Sequence, residues 1–186
     1  MNREDAWKIV CEHTSSESLR RHMLAVEFCM RFYAHKLGED VETWGRAGLL
    51  HDFDYELHPD DHPLWGMDYL RSLGETEEVI NAIASHYEQK TGVTPESPIQ
   101  RYLFACDEIT GFITACCYVR PSKSVLDLEP SSVRKKMKSL NFAAAVSRDD
   151  LARGASLIGL DLNDHIQNVI TAMRESADRL GLKGNL

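Results

Sequence analysis

The stretch SLRRHMLAVEFCMRFYAHKLG, residues 18–38, decides the fold class. Leu19, Met23, Val26 and Met30 recur at helical spacing and mark one buried stripe, and Gly38 follows Leu37 where a C-terminal stop belongs. His22 lies within that pattern, one turn after Leu19 and one turn before Val26. Nearly every other segment carries the same period near 3.6 residues, and no alternating run is long enough to argue for a sheet. An all-α fold is therefore expected.

Working outward, Asp40 is placed to cap a second helix, which carries Trp44, Ala47, Gly48 and Leu50 into the pair His51-Asp52. The polar loop from Phe53 to Asp61 ends in Asp61-His62-Pro63, predicted to open a helix that stops at Gly74. Thr76, with Glu77 and Glu78, opens the next, which runs through Val79, Ile80 and Ile83 to His86 and ends near Gly92. Ser97-Pro98 starts a long apolar helix through Ile99, Tyr102, Leu103 and Cys106 to Tyr118, with Asp107 on its inward side. After Pro121 the chain turns basic and less regular. Two closing helices follow, opened by Ser147-Arg148-Asp149-Asp150 and by Asp161. The second turns Leu162, Ile166, Val169, Ile170 and Met173 inward, with Gly181 as its stop.

With 186 residues the chain can bury enough surface to fold as one domain without disulfides. Its 43% hydrophobic and 27% charged residues are ordinary globular values, and no apolar run is long enough to span a bilayer, so no membrane partner is expected. The five cysteines are odd in number and lie inside apolar helical patterns, which suits reduced core residues. The first residues show no secretory leader, and a cytoplasmic address is expected. A net charge of -8 argues against a duplex nucleic acid partner, which calls for a basic face.

Several residues run against the pattern. His51 and Asp52 follow the apolar run Ala47–Leu50, where a helix should be entering the core, and Asp107 repeats the anomaly inside the most apolar helix. Burying a carboxylate costs several kcal/mol, on the order of 3–5, unless a cation or donors compensate. Two such carboxylates, with imidazoles on neighbouring helices, suit ligands converging on a cation. The donor set fits iron, manganese, zinc, nickel or cobalt better than calcium, which prefers all-oxygen sites.

The order His22, then His51-Asp52 within GLLHDFDY, then Asp107 within ACDEITGF, resembles the HD superfamily of metal-dependent phosphohydrolases. The resemblance spans about residues 18–119. It implies a metal-binding core there, a helical extension over about 120–186, and one divalent ion held by His22, His51, Asp52 and Asp107. His62 in HPLWGMDYL and His86 in IASHYEQ stand where the family's members with a second metal carry two further histidines, with the doublet's Asp bridging. The resemblance also implies a small phosphorylated substrate, a nucleotide or related metabolite, attacked by a metal-activated hydroxide. The run VRPSKS, residues 119–124, is similar to one in uncharacterised HD-domain proteins.

Many family members continue the doublet as Ile-Gly-Lys, whereas this chain reads Phe53-Asp54-Tyr55 and lacks that phosphate-neutralising lysine. Arg120, Lys123, Lys135 and Lys136 are the candidates to replace it. Asp54, just beyond the ligands, is a candidate proton relay beside the bridging Asp52. Two rivals share the ligand set: an oxygenase with two irons, and a nucleotide sensor that kept the fold without turnover.

Overall fold

The computed structural model describes all residues from Met1 to Leu186, and they form helices without a strand. In chain order these are α1 (Arg3–His13), α2 (Glu17–Leu37), α3 (Val41–Leu50), α4 (Leu64–Ser72), α5 (Glu77–His86), α6 (Glu88–Thr91), α7 (Pro98–Tyr118), α8 (Pro130–Met137), α9 (Arg148–Leu157) and α10 (Leu162–Glu175). The chain divides into two compact units, Met1–Phe104 and Ala105–Leu186, with α7 running unbroken through the division.

The helix starts follow the punctuation. Ser16, Asp40, Thr76 and Ser147 each accept a hydrogen bond from the backbone N–H three residues on, which satisfies a donor that the first turn leaves orphaned. Gly38 ends α2 at φ 75°, a left-handed conformation that glycine adopts without a Cβ penalty. Three boundaries differ from expectation. α4 starts at Leu64 rather than at Asp61 or His62, because Asp61 and His62 belong to the preceding turn, closed by His62 N–H on the His58 carbonyl. The helix expected to continue past His86 breaks at Tyr87 and resumes as α6. α10 ends at Glu175, and turns lead on to Gly181.

In the first unit α3 contacts α1, α2 and α5. Met23, Val26, Met30 and Tyr33 of α2 pack with Trp44, Ala47 and Leu50 of α3 in its core, all at 2% exposure or less. Buried positions wrap further around α2 than one stripe, taking in Leu24, Ala25, Cys29 and Ala34. The approach of α3 to α2 is set at Gly48, where a Cβ would lie 2.9 Å from both the Cα and the N of Glu27. Glu27 itself is fully buried and held by two guanidinium groups, Arg3 at 2.6 and 2.8 Å and Arg31 at 2.8 Å. Such a carboxylate is tolerated because its charge is paired and hydrogen-bonded.

In the second unit α8 and α9 pack against α10, whose Ile166, Val169, Ile170 and Met173 are fully buried as expected. His165 is buried beside them and donates from Nε2 to the Ala105 carbonyl at 2.9 Å. All five cysteines are free thiols. No helix is long and apolar enough to cross a membrane.

Two measurements test this packing. Gly48→Ala should lower the urea midpoint by the equivalent of about 1–3 kcal/mol, because the atom it meets is backbone and cannot swing aside. Gly111→Ala in α7, where nothing lies within 4 Å of the added carbon, should be neutral or stabilising by up to about 1 kcal/mol. Burial pushes the His165 imidazole below its ordinary value of 6.5, against the opposing hydrogen bond to Ala105. The unfolded chain then binds the proton first, so the stability from a neutral His165 is complete above 6.5 and drains away as pH falls below it. The slope of unfolding free energy against pH below that value should be shallower in His165→Gln, and an unchanged slope would remove His165 as its source.

Candidate metal centre

Two of the imidazoles are oriented by the same local device. A helix leaves its last carbonyls without intrahelical partners, and a histidine at the helix end can claim one of them. His51, the residue after α3, puts Nδ1 2.8 Å from the Gly48 carbonyl, and His86, the last residue of α5, puts Nδ1 on the Ile83 carbonyl. A carbonyl only accepts, so Nδ1 carries the proton in each ring and the Nε2 lone pair points away from the helix.

His62 reaches the same state by a different route. Its Nδ1 lies 2.7 Å from Oδ1 of Asp54, whose Oδ2 accepts the Gly66 backbone N–H at 2.8 Å. The Asp54 side chain is 1% exposed and both its oxygens are engaged. Gly66 is required for this contact, since a Cβ there would sit 2.8 Å from Oδ2 of Asp54 and 2.9 Å from the Phe53 ring.

These lone pairs converge on Asp52. Its Oδ1 is 3.3 Å from His62 Nε2 and 3.4 Å from His86 Nε2, while Oδ2 is 3.4 Å from His51 Nε2 and 3.8 Å from His22 Nε2. The imidazoles pair off accordingly: His62 and His86 approach to 3.2 Å through Nε2, and His51 and His22 to 3.3 Å. Each carboxylate oxygen thus faces its own pair of histidines. Burial works to raise the Asp52 carboxyl, but His51 and His86, when protonated on both nitrogens, outweigh it with their charge and hydrogen bonds and hold the group well below the ordinary carboxylate range.

This donor set fits divalent transition metals. Ligand atoms about 2.0–2.1 Å from one ion lie about 2.9 Å apart in an octahedron and about 3.3 Å apart in a tetrahedron, the range that the two histidine pairs already occupy. Asp52, His62 and His86 form one group that can hold an ion. The carbonyls and the Asp54 carboxylate behind the rings are the outer partners that metal-binding imidazoles need.

Of the residues expected at the site, His22, His51, Asp52, His62 and His86 come together in the first unit. Asp107 lies in the second unit, on the part of α7 beyond Phe104. Asp54 stands behind His62 rather than in the cluster. Among the four basic candidates, Arg120, Lys135 and Lys136 line a cavity within the second unit, whereas Lys123 is exposed on a turn at φ 50° and is not part of that lining. His58 stacks on Trp65 at 3.8 Å between ring centroids, and His13 packs against Phe53, Trp65 and Tyr69. Gly66 escaped the reading of the sequence altogether. The one hint was its position four residues after His62.

The family model described as HD domain matches residues 19–111. Among curated proteins, Ribonuclease Y of Nitratidesulfovibrio vulgaris (strain DP4) is 34% identical over 100 residues, 52% of this chain and 18% of the relative. Ribonuclease Y of Thermosipho melanesiensis is 34% identical over 87 residues, 45% of this chain and 17% of the relative. Ribonuclease Y of Lawsonia intracellularis is 32% identical over 100 residues, covering 52% and 19%. The chain spans less than a fifth of the length of these relatives. The match reaches from α2 into α7 and contains every histidine and aspartate of the expected ligand set, and the chain belongs to the HD-domain family.

Proposed function

We propose that this protein is a metal-dependent phosphohydrolase acting on a phosphate ester of nucleotide type, with His22, His51, Asp52, His62, His86 and Asp107 as its metal ligands. The observation that carries the reading is the Asp52 carboxylate set between two pairs of imidazoles, three of whose rings are locked with Nε2 facing it. Asp107 joins them on two grounds. The family match extends past it to residue 111, and it sits one turn beyond the buried Leu103 on α7.

Divalent ions held there supply positive charge to the phosphoryl oxygens and a nucleophile at neutral pH. The chain's own residues do the positioning. His51 and His86 are aimed by carbonyls, His62 by Asp54, and Asp52 offers one oxygen to each side. We assign Asp54 to orienting His62 rather than to relaying a proton, because its oxygens are committed to Nδ1 and to the Gly66 N–H. The relatives' name, ribonuclease, brings an RNA phosphodiester into the substrate class beside small nucleotides. A net charge of -8 favours short or unpaired substrates over a duplex.

The deciding experiment joins elemental analysis of the metal-loaded protein to a hydrolysis screen that reads inorganic phosphate from nucleotides and sugar phosphates, and nucleotide products from dinucleoside polyphosphates and short RNA. About two divalent ions per chain and turnover of a phosphate ester are expected. Oxygen uptake without hydrolysis would replace the reading with an oxygenase, and ligand binding without either reaction would replace it with a sensor.

Asp52→Asn should abolish hydrolysis while circular dichroism stays helical, since the amide keeps the shape and loses the charge that both sides share. Near wild-type turnover in that variant would remove Asp52 from the site. His62→Ala and His86→Ala should each lose about one ion while the other is retained. Asp54→Asn should weaken metal binding by about 10–100-fold, because one of its two donors then faces an amide N–H in place of a carboxylate oxygen. An affinity equal to wild type would detach Asp54 from the ligand it supports.

A further inference from the structure

The second unit contains a cavity of about 390 Å³ between the C-terminal half of α7 and α8. Three cations line it, Arg120, Lys135 and Lys136, with no acidic side chain among the lining residues. Two hydroxyls, Ser132 and Ser139, and two apolar groups, Cys116 and Leu128, complete it. In a chain of net charge -8 this is a local reversal of sign.

Arg120 is held in place from one side only. Its Nη2 donates to the Asp127 carbonyl at 3.0 Å and to Oδ2 of Asp127 at 2.7 Å, and Ser122 donates to the other oxygen at 3.0 Å. Its Nε is buried and has no hydrogen-bond partner. Leaving a buried donor unmade costs on the order of 1–3 kcal/mol, more when the group is charged. Asp127 offsets one of the three charges, and the lysines are not in ion pairs; Lys136 lies over the Phe142 ring, 4.8 Å from its centroid. The field reaches Cys116, where burial pushes the thiol up to about 11 while Lys136, Arg148 and Arg120 oppose the rise.

The far wall is braced. Arg148 donates to the carbonyls of Ser139, Phe142, Ala143 and Val146, and stacks on Phe112 at 4.5 Å, which keeps the chain after α8 closed around the cavity. Lysines in the last turn of α8 also complement its helix dipole, a sufficient reason for Lys135 and Lys136 alone. That reason does not extend to Arg120, which belongs to the other wall and keeps a buried donor unused.

We propose that this cavity binds a phosphorylated small molecule of nucleotide size. A phosphate group offers three acceptor oxygens to the Arg120 guanidinium, the two ammonium groups and the serine hydroxyls, a charge-assisted set about twice as strong as neutral hydrogen bonds. The volume lies within the range of about 300–1,000 Å³ usual for small-molecule sites, well above what a bare phosphate fills, and Leu128 and Cys116 face the organic part. The site goes beyond the hydrolase reading and does not depend on it.

The test is calorimetric titration of the full chain, stripped of metal by a chelator so that the metal centre cannot take up phosphate, with adenosine 5′-monophosphate and with inorganic phosphate as probes. Saturable binding of one nucleotide per chain is expected, tighter than inorganic phosphate and weakened by added salt. Lys135→Glu combined with Lys136→Glu, both on the exposed face of α8, should weaken it about tenfold or more, as should Arg120→Gln. Asp52→Asn should bind the nucleotide as wild type does. Absence of saturation, binding indifferent to the charge reversals, equal affinity for the two probes, or loss of binding in Asp52→Asn would each overturn the proposal. Because the lysines are exposed, their variants separate loss of a binding charge from loss of the fold, which circular dichroism checks in parallel.

Discussion

The arrangement around Asp52 is the constraint that the first unit serves. Four imidazole nitrogens stand 3.3–3.8 Å from one carboxylate, and in His51, His62 and His86 the proton sits on the opposite ring nitrogen. With the rings neutral, lone pairs face lone pairs and repel, and a proton or a cation placed between them relieves that repulsion. The convergence has to be imposed by the scaffold, which is what the carbonyl and carboxylate anchors behind the rings do.

That scaffold works through helix ends and close helix approach. His51 and His86 exploit carbonyls that any helix leaves over at its C-terminus, so no additional side chain is needed to orient them. His22 comes from the second turn of α2, and its distance from His51 is governed by how near α3 can come. Gly48 sets that distance against the backbone of Glu27, and the buried Glu27 carboxylate is in turn clamped by Arg3 from α1 and Arg31 from α2. A chain of contacts therefore runs from a charged cluster in the interior to the spacing of two candidate ligands at the site.

The helical class and most helix starts were legible because they rest on local rules, the spacing of apolar residues and the side-chain caps. The candidate ligands stood out as violations of those rules: His51 and Asp52 after four apolar residues, and Asp107 within an apolar helix. The role of Asp54 was not, because it depends on a turn that brings residue 54 beside residues 62 and 66, and no local rule specifies that return. The pairing of Glu27 with Arg3, 24 positions away, was hidden for the same reason, whereas that with Arg31 is a local i,i+4 pair on α2. The basic residues after Pro121 read as a diffuse run, and only folding separates the three that share a cavity from the exposed Lys123.

Asp52 and Asp54 show how two carboxylates two residues apart come to opposite uses. Asp52 keeps 18% of its side chain exposed and turns both oxygens toward lone pairs, whereas Asp54 keeps 1% and turns both toward donors. The difference lies in what each meets, not in the residue type. An acceptor facing acceptors is a place for a cation, and an acceptor facing donors is a finished structural element. His62 lies between them, giving its Nδ1 proton to Asp54 and its Nε2 lone pair to the side of Asp52. The departure from the family's Gly-Lys at this point thus has a physical consequence: Asp54, where the resemblance places the glycine, holds a histidine, and the exposed Tyr55, where it places the lysine, brings no positive charge.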